Sequence, residues 1–598
     1  MTRQKIFRLF ISSTFKDLIA ERNYLQKEIF PKLENLCESH GTKFQAVDLR
    51  WGVSEQDNLD QKGLEICLNE LRRCQEYCVK PNFIVILGER YGWLPVPTEI
   101  EEKEFELLRQ YMKEEDKKVI EFWYKLDKNE NNINPDGMLS SHYELAPRRG
   151  EHSDFADYQK WSAEEKKIHE ILLDAANKAD LEQDKKFKYY ASATHQEILE
   201  GALSPDVETG FAHAFFRTTN GLPKDASESI FRTKNAEHKA RLNEIKQALR
   251  QKLGNCCYEY SVDLSNEQET ELYLQEFGKD VYEAFERNFL DQLADMEHVT
   301  EYEAEEESAL NFAESRAKIF IGREKYISDI KNYISSEHDN SPFILVGEPG
   351  SGKSALMSKV FQLSKSWFPN AEIICRFIGT SNLSSNSYNL LTHIGERITE
   401  VYNGPFLELP RTYDDLIVYF KEKLSLVSKE KPLILILDAI DQFNKKDLAR
   451  DLRWLPDQLP ANVKIVTSIA TDAIDVMDAL KHHFQRADSL LSPLSLDEGK
   501  TILNMLLKAT NRALLPHQFK EVMDKFVKNK GNPLYLKLAF EQSKLWNSYD
   551  PPEKTVLGDT TEDVILQLFA KLEYVHGRML VDRALSYIAL SRYGLSET

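Results

Sequence analysis

Phe343-Ile344-Leu345-Val346-Gly347-Glu348-Pro349-Gly350-Ser351-Gly352-Lys353-Ser354-Ala355 runs from four apolar residues into a glycine-rich turn that closes on Lys-Ser. The apolar run predicts a buried strand. The turn matches G-x-x-x-x-G-K-[ST] and follows that strand, as the motif requires. Glycines at Gly347, Gly350 and Gly352 let backbone N–H groups turn inward around phosphates. A helix beginning at Lys353 aims its positive end at the same point. The stretch Gly347, Glu348, Pro349, Gly350, Ser351, Gly352, Lys353, Ser354, Ala355 therefore reads as a cradle for ATP or GTP with Mg²⁺. In such a cradle Lys353 reaches the β- and γ-phosphates and Ser354 ligates Mg²⁺.

The partner lies about 85 residues on, at Pro432-Leu-Ile-Leu-Ile-Leu437-Asp438-Ala-Ile-Asp441-Gln442. Five consecutive apolar residues fit a strand buried on both faces. Asp438 ends that strand, where the Mg²⁺ shell is completed in such enzymes. Asp441 is placed either to orient the attacking water or to add to the metal shell.

Working outward, 598 residues predict several domains, because one core rarely serves more than about 250–300 residues. Acidic residues outnumber basic ones, 97 to 77, for a net charge of −20. That balance argues against a protein that coats nucleic acid or anionic membranes. Apolar runs fall far short of the roughly 18–20 residues of a membrane span, and Arg8 interrupts the only candidate leader. Seven cysteines, without a paired Cys-x-x-Cys, indicate a reduced, cytoplasmic protein. Cys67, Cys74 and Cys78 share a helical face with Leu64, Leu68 and Leu71, which suits core packing better than a metal.

Strands are expected at 5–11, 44–49, 83–87 and 212–216, with helices at 15–37 and 63–78. A charged stretch over 100–190 reads as helices and solvated loops. Two polar helical stretches, 232–253 and 268–315, read as a connector, and the acidic run Glu301–Glu307 as a solvated helix face. A second alternation has strands at 343–346, 372–378, 432–437 and 463–467, and helix follows Pro493. The fold class is thus α/β, with parallel sheets covered on both faces.

Several pieces resemble the NACHT branch of the STAND class of signalling ATPases. They are Phe320-Ile-Gly322-Arg323-Glu324, Arg376-Phe-Ile-Gly379-Thr380-Ser381, Trp454-Leu-Pro456-x-x-Leu-Pro460 and Gly531-Asn532-Pro533. The resemblance implies that Gly322 and Arg323 lie by the adenine and ribose, that Thr467 and Ser468 form the sensor-1 strand end, and that Pro533 packs on the base. Two positions depart from the pattern. Ile469 stands where many members have arginine, and Gln442 where glutamate is common. A weaker base fits slow hydrolysis, and turnover well above about one per second would contradict it. The end, Tyr593–Thr598, resembles the start of a winged-helix domain that family members follow with repeats. The regions that sense protein partners or triggers are expected beyond it.

Leu9-Phe-Ile-Ser12-Ser13-Thr14-Phe-x-Asp17-x-x-x-Glu21-Arg22 resembles domain-of-unknown-function family 4062, as do Asp48-Leu-Arg50-Trp51-Gly52, Gly88-Glu89-Arg90-Tyr91-Gly92-Trp93 and Ser192–Ile198. This implies a flavodoxin-like, TIR-like doubly wound sheet. The expected order is that domain over 1–225, a helical connector over 226–314, a NACHT P-loop domain over 315–490, a helical domain over 491–560 and the start of a winged helix over 561–598. Cys67-Leu-Asn-Glu70-Leu71 resembles the TIR segment that carries the catalytic glutamate of NAD-cleaving members. Glu70 is then either a catalytic carboxylate with NAD as substrate or a surface glutamate. Asp48, Arg50 and Trp51 are read as a binding set or as ion pairs. His195 with Glu197 is read as an acid–base pair or as part of a helix cap, and Ser12-Ser13-Thr14 as a cap. Three functions remain open: an ATP/ADP switch that self-oligomerises, an NAD-cleaving effector, and a scaffold whose first domain binds partners.

Overall fold

The computed structural model describes residues 6–49, 59–76, 79–133, 139–208, 210–223, 227–294, 301–381, 383–405, 408–484 and 489–591. The chain divides into two compact units. Of the described residues, one comprises 6–127 and 139–294, and the other comprises 301–591 with 128–133.

The amino-terminal unit is built on β1 (Ile6–Ser13), β2 (Lys43–Val47), β3 (Phe83–Leu87), β7 (Ala212–Gly221) and β8 (Cys257–Asp263). Their order is β2-β1-β3-β7-β8, and every pair is parallel. This is the flavodoxin-like order, whose switch point lies between β1 and β3. Alternate residues of β1 show why both faces are covered. Phe7, Leu9 and Ile11 enter one core, with Phe277, Phe285 and Phe289 of the helix Glu267–Ala294. Phe10 enters the other, with Leu242 and Leu249 of the helix Ala236–Leu253. An inserted segment carries β4 (Glu99–Glu101), β5 (Tyr124–Ile133) and β6 (Leu139–Leu145) in the order β4-β6-β5, with its own core around Trp123, Trp161 and Tyr189.

Three expectations are corrected here. Of the connector expected over 226–314, the helices Ala236–Leu253 and Glu267–Ala294 and the strand between them complete the first α/β unit, and the helix Glu301–Ala317 belongs to the second. That strand, Cys-Tyr-Glu-Tyr-Ser-Val-Asp, lies at the sheet edge and buries only Tyr260 and Val262, so its apolar signal is weak. The stretch 100–190 holds strands as well as helices. The helix expected over 15–37 starts at Ile19 and passes through a π-turn at Leu25–Ile29 before Phe30–Ser39.

The carboxy-terminal unit has β9 (Phe343–Gly347), β10 (Glu372–Phe377), β11 (Leu433–Asp438), β12 (Val463–Ala470) and β13 (Ser489–Leu490), in the parallel order β10-β11-β12-β9-β13. β9, β11 and β12 are buried along their whole length, which explains their unbroken apolar sequences. Leu433, Leu435 and Leu437 face one core, and Ile434 and Ile436 the other. After β13 come the helices Leu496–Ala509, Pro516–Lys528 and Pro533–Ser543, then Thr561–His576 and Arg578–Leu590. The winged-helix start expected over 561–598 corresponds to the helices Thr561–His576 and Arg578–Leu590, and its last residues, Tyr593–Thr598, lie outside the described residues.

Candidate active site

The loop between β9 and the helix Lys353–Trp367 takes the shape its glycines permit. Gly350 and Gly352 have φ of +74° and +93°, values that L side chains rarely adopt. Lys353 Nζ donates to the carbonyls of Gly347 (2.8 Å) and Glu348 (3.0 Å). Burial pulls its pKa below the usual lysine value, while Asp441, Asp438 and Asp472 push it back up. The site thus holds an amine on a bed of loop carbonyls, at the amino end of a 15-residue helix.

β11 delivers Asp438, which is 2% exposed. Ser468 Oγ donates to Asp438 Oδ1 at 2.5 Å and accepts the Ala439 N–H at 2.8 Å. Burial raises the Asp438 pKa; the Ser354 and Ser468 hydroxyls and the Lys353 amine oppose it. Ala439 then turns at φ +58°, which carries Asp441 back toward the loop. Asp441 Oδ1 accepts the Ala470 N–H at 3.0 Å, and Oδ2 accepts Gln442 Nε2 at 3.0 Å. Thr467 Oγ1 donates to the Leu437 carbonyl at 2.8 Å. Thr467 and Ser468 therefore tie β12 to β11, and Ser468 acts on Asp438 directly.

Arg323 also arrives at this loop, with Gly322 before it against Glu498. Arg323 donates to the carbonyls of Ser492 and, at 3.3 Å, of Ser351. A Cβ on Gly322 would meet Glu498 Oε1 at 2.1 Å, so the glycine admits that carboxylate. Pro533 lies against the loop as well, its Cγ 3.8 Å from where a Gly352 Cβ would stand. Beside it Leu534 N donates to the Gly350 carbonyl (3.2 Å) and Asn532 Nδ2 to the Pro349 carbonyl (3.3 Å). Asn532 Oδ1 also caps its own helix through Leu534 N at 2.8 Å. Asn-Pro at a helix start is a cap followed by proline at the first helical position, a signal that picks out Asn532.

The donor set suits the ions and groups the motif implies. A serine hydroxyl and a buried carboxylate are hard oxygen ligands, the kind Mg²⁺ takes. Ser354 and Asp438 would hold Mg²⁺, which, when bound, neutralises charge on the β- and γ-phosphate oxygens.

Comparison with known proteins agrees. Residues 8–184 match the family described as Domain of unknown function (DUF4062), and residues 319–466 match the AAA ATPase domain. The chain joins a DUF4062 domain to a P-loop ATPase domain. Human NACHT domain- and WD repeat-containing protein 1 is 28% identical over 95% of this chain and 37% of its own length. Human NACHT and WD repeat domain-containing protein 2 is 27% identical over 99% of this chain and 36% of its own. Rat telomerase protein component 1 is 23% identical over 98% and 20%. The chain thus spans little more than a third of these NACHT relatives, and a fifth of the telomerase component.

In the DUF4062 part the described candidate residues take structural roles. Glu70 accepts Arg8 Nη2 and Arg73 Nη1, each at 2.9 Å. Arg8 is the third residue of β1, so Glu70 sits away from the carboxyl ends of the strands, where such sheets bind ligands. It is a structural counter-ion, and the NAD-cleaving reading loses the residue on which it stands. Asp48 pairs with Arg22 at 2.5 Å, with side chains 6% and 2% exposed, which is the ion-pair alternative. Arg50 and Trp51 lie outside the described residues. Ser12-Ser13-Thr14 caps no helix: Leu18 precedes Ile19–Tyr24 without a side-chain cap, Ser12 donates to Glu197 Oε2 (2.6 Å), and Ser13 accepts Arg22 Nε (2.6 Å). His195 and Glu197 form no acid–base pair. Two positions apart on a helix, they face different ways. His195 meets the Tyr91 hydroxyl at 2.9 Å, and Ser192 Oγ caps the helix by accepting the His195 N–H at 3.2 Å.

Burial raises Glu197 from an ordinary 4.5 to about 7. The folded state therefore holds a proton that the unfolded chain releases above pH 4.5, so this group's contribution to stability falls as pH rises from 4.5 to 7. The gap corresponds to about 3 kcal/mol. The stability of the wild type minus that of Glu197→Gln should therefore drop over this pH range and level off above it. Urea titrations at pH 5, 6, 7 and 8 check this, and a pH-independent difference would show that Glu197 ionises normally.

Proposed function

We propose that this chain is a slow ATP-hydrolysing switch of the NACHT type, in which nucleotide exchange governs self-association and brings DUF4062 domains together. The observation that carries the proposal is the seating of the helix Pro533–Ser543 on the phosphate loop, through Leu534 N to Gly350 and Asn532 to Pro349. A helical segment bonded to the very backbone that cradles phosphates is placed to sense which nucleotide the loop holds. Gln442 beside Asp441 supports slow turnover, since an amide carries no proton away from water.

The relatives' names point to repeats, and protein triggers recognised by such repeats outside this chain complete the scheme. Direct nucleic-acid binding has no place in it, given the charge of −20. Among the described residues no helix is long and apolar enough to cross a membrane. The free cysteines Cys37, Cys74 and Cys375 are buried thiols and support a cytoplasmic setting.

Light scattering on purified chain tests the proposal, comparing ADP with a non-hydrolysable ATP analogue. The expected result is monomer with ADP and a larger species with the analogue. Asn532→Asp keeps the oxygen that caps the helix and removes the donor to the Pro349 carbonyl, a bond worth about 1 kcal/mol. It should therefore shift the ADP-bound sample toward the larger species by about fivefold. Equal mass in both nucleotides would defeat the switch while leaving hydrolysis standing.

A further inference from the structure

The loop that carries Asp441 is held from outside the nucleotide cradle by one side chain that no motif marks. Arg450 Nη1 donates to the Asp441 carbonyl and, at 3.1 Å, to the Phe443 carbonyl. Its Nε and Nη2 donate to Asp475 Oδ2 and Oδ1 at 2.6 and 2.7 Å. The Arg450 side chain is 12% exposed, so the guanidinium is largely enclosed. Asp475 belongs to the helix Ile474–His483, which follows β12. One planar fork therefore bridges the loop after β11 and the helix after β12. Asp441 ties the same loop to the end of β12 through its carboxylate, which accepts the Ala470 N–H.

We infer that Arg450 is a positioning residue for the hydrolytic step: by clamping the Asp441 and Phe443 carbonyls against Asp475, it fixes where the Asp441 carboxylate stands relative to the phosphate loop. The inference rests on the ATPase reading above. The need for a clamp comes from the local backbone. Ala439 is in the left-handed region, and the turn Ile440–Gln442 is a single short 3₁₀ turn. Such a turn has few hydrogen bonds of its own to hold a carboxylate within the tolerance hydrolysis needs. A guanidinium supplies donors at fixed angles to two carbonyls and one carboxylate at once; an ammonium cannot. Arg450 touches no phosphate-binding residue of Gly347–Ser354 in these hydrogen bonds. Its role should therefore show in turnover, not in nucleotide affinity.

The test compares Arg450→Lys, Asp475→Asn and Asp475→Glu with wild type, by phosphate release and by titration with a fluorescent ADP. Arg450→Lys should lower kcat about tenfold or more, with the fluorescent-ADP Kd within about threefold of wild type. Asp475→Asn, at an exposed position that leaves folding intact, should lower kcat about threefold with the same unchanged Kd, and Asp475→Glu should restore it. Arg450→Lys turning over within about twofold of wild type would overturn the inference. So would kcat, Kd and melting temperature falling together, which marks a general structural role. If wild type releases no phosphate above Lys353→Ala, the ATPase reading itself fails and the inference with it. A wild type that is active beside an unaffected Arg450→Lys removes the inference alone.

Discussion

Lys353→Ala is expected to lower phosphate release roughly 10²–10³-fold, the range for loss of one pre-organised group that stabilises transition-state charge, about 2.7–4 kcal/mol. The expectation follows from the position of the amine. Lys353 is buried, at 9% exposure, and lies at the start of a helix beside Asp438 and Asp441. No other lysine or arginine of the loop Gly347–Ser354 can take its place, because the stretch contains none. The substitution leaves Gly350, Gly352 and the helix start unchanged, so the fold should survive. Turnover measured with saturating Mg·ATP separates loss of the step from loss of binding. Activity unchanged by Lys353→Ala would mean that hydrolysis comes from a contaminant or from another site.

The second large effect is on stability. Arg217 and Glu21 form an ion pair with side chains 1% and 0% exposed. Arg217 also donates to the Asp17 carbonyl at 2.9 Å, and Tyr273 donates to Glu21 Oε1 at 2.9 Å. Removing the cation strands a carboxylate in the core between β7 and the helix Ile19–Tyr24. Arg217→Met should therefore destabilise the amino-terminal unit by about 3–5 kcal/mol. For a unit of this size that is a fall in melting temperature of roughly 10 °C. The double variant Glu21→Leu/Arg217→Met should recover part of the loss, since it leaves no unpaired charge at this pair, while the Asp17 carbonyl and the Tyr273 hydroxyl still lose these bonds. Thermal melts of the three chains decide the matter. A loss below about 1 kcal/mol for Arg217→Met would mean that water reaches Glu21 and screens it.

The nucleotide site was legible because its chemistry is local. Gly347–Ser354 needs glycines, a lysine and a hydroxyl in fixed spacing, and Asp438 closes a strand whose apolar run is unmistakable. Gly322, Arg323, Thr467, Ser468 and Pro533 are distant in sequence, and resemblance was needed to bring them to one place. Arg450, Asp475, Glu498 and Ser492 were invisible, since their partners are backbone carbonyls or side chains brought near only by the fold, and no residue spacing marks them. In the first unit a short segment leaves Glu70 with two readings, catalytic carboxylate or surface glutamate, and only the fold shows that its helix presents it to Arg8 and Arg73. Glu197, buried against Ser12, has its carboxyl pKa raised by that burial, which depends on a contact 185 residues away that no local pattern encodes. The edge strand Cys257–Asp263 was missed for a similar reason: an edge buries few side chains, so its sequence looks polar.

The central claim is that Gly347–Ser354 binds Mg·nucleotide. Calorimetric titration of the purified chain with ADP, with and without Mg²⁺, tests it most directly. The expected result is one nucleotide per chain, tighter with Mg²⁺, with affinity weakened in Lys353→Ala and the Mg²⁺ dependence lost in Asp438→Asn. A folded wild-type chain that takes up no nucleotide, or that binds it equally well after Lys353→Ala, would contradict the account.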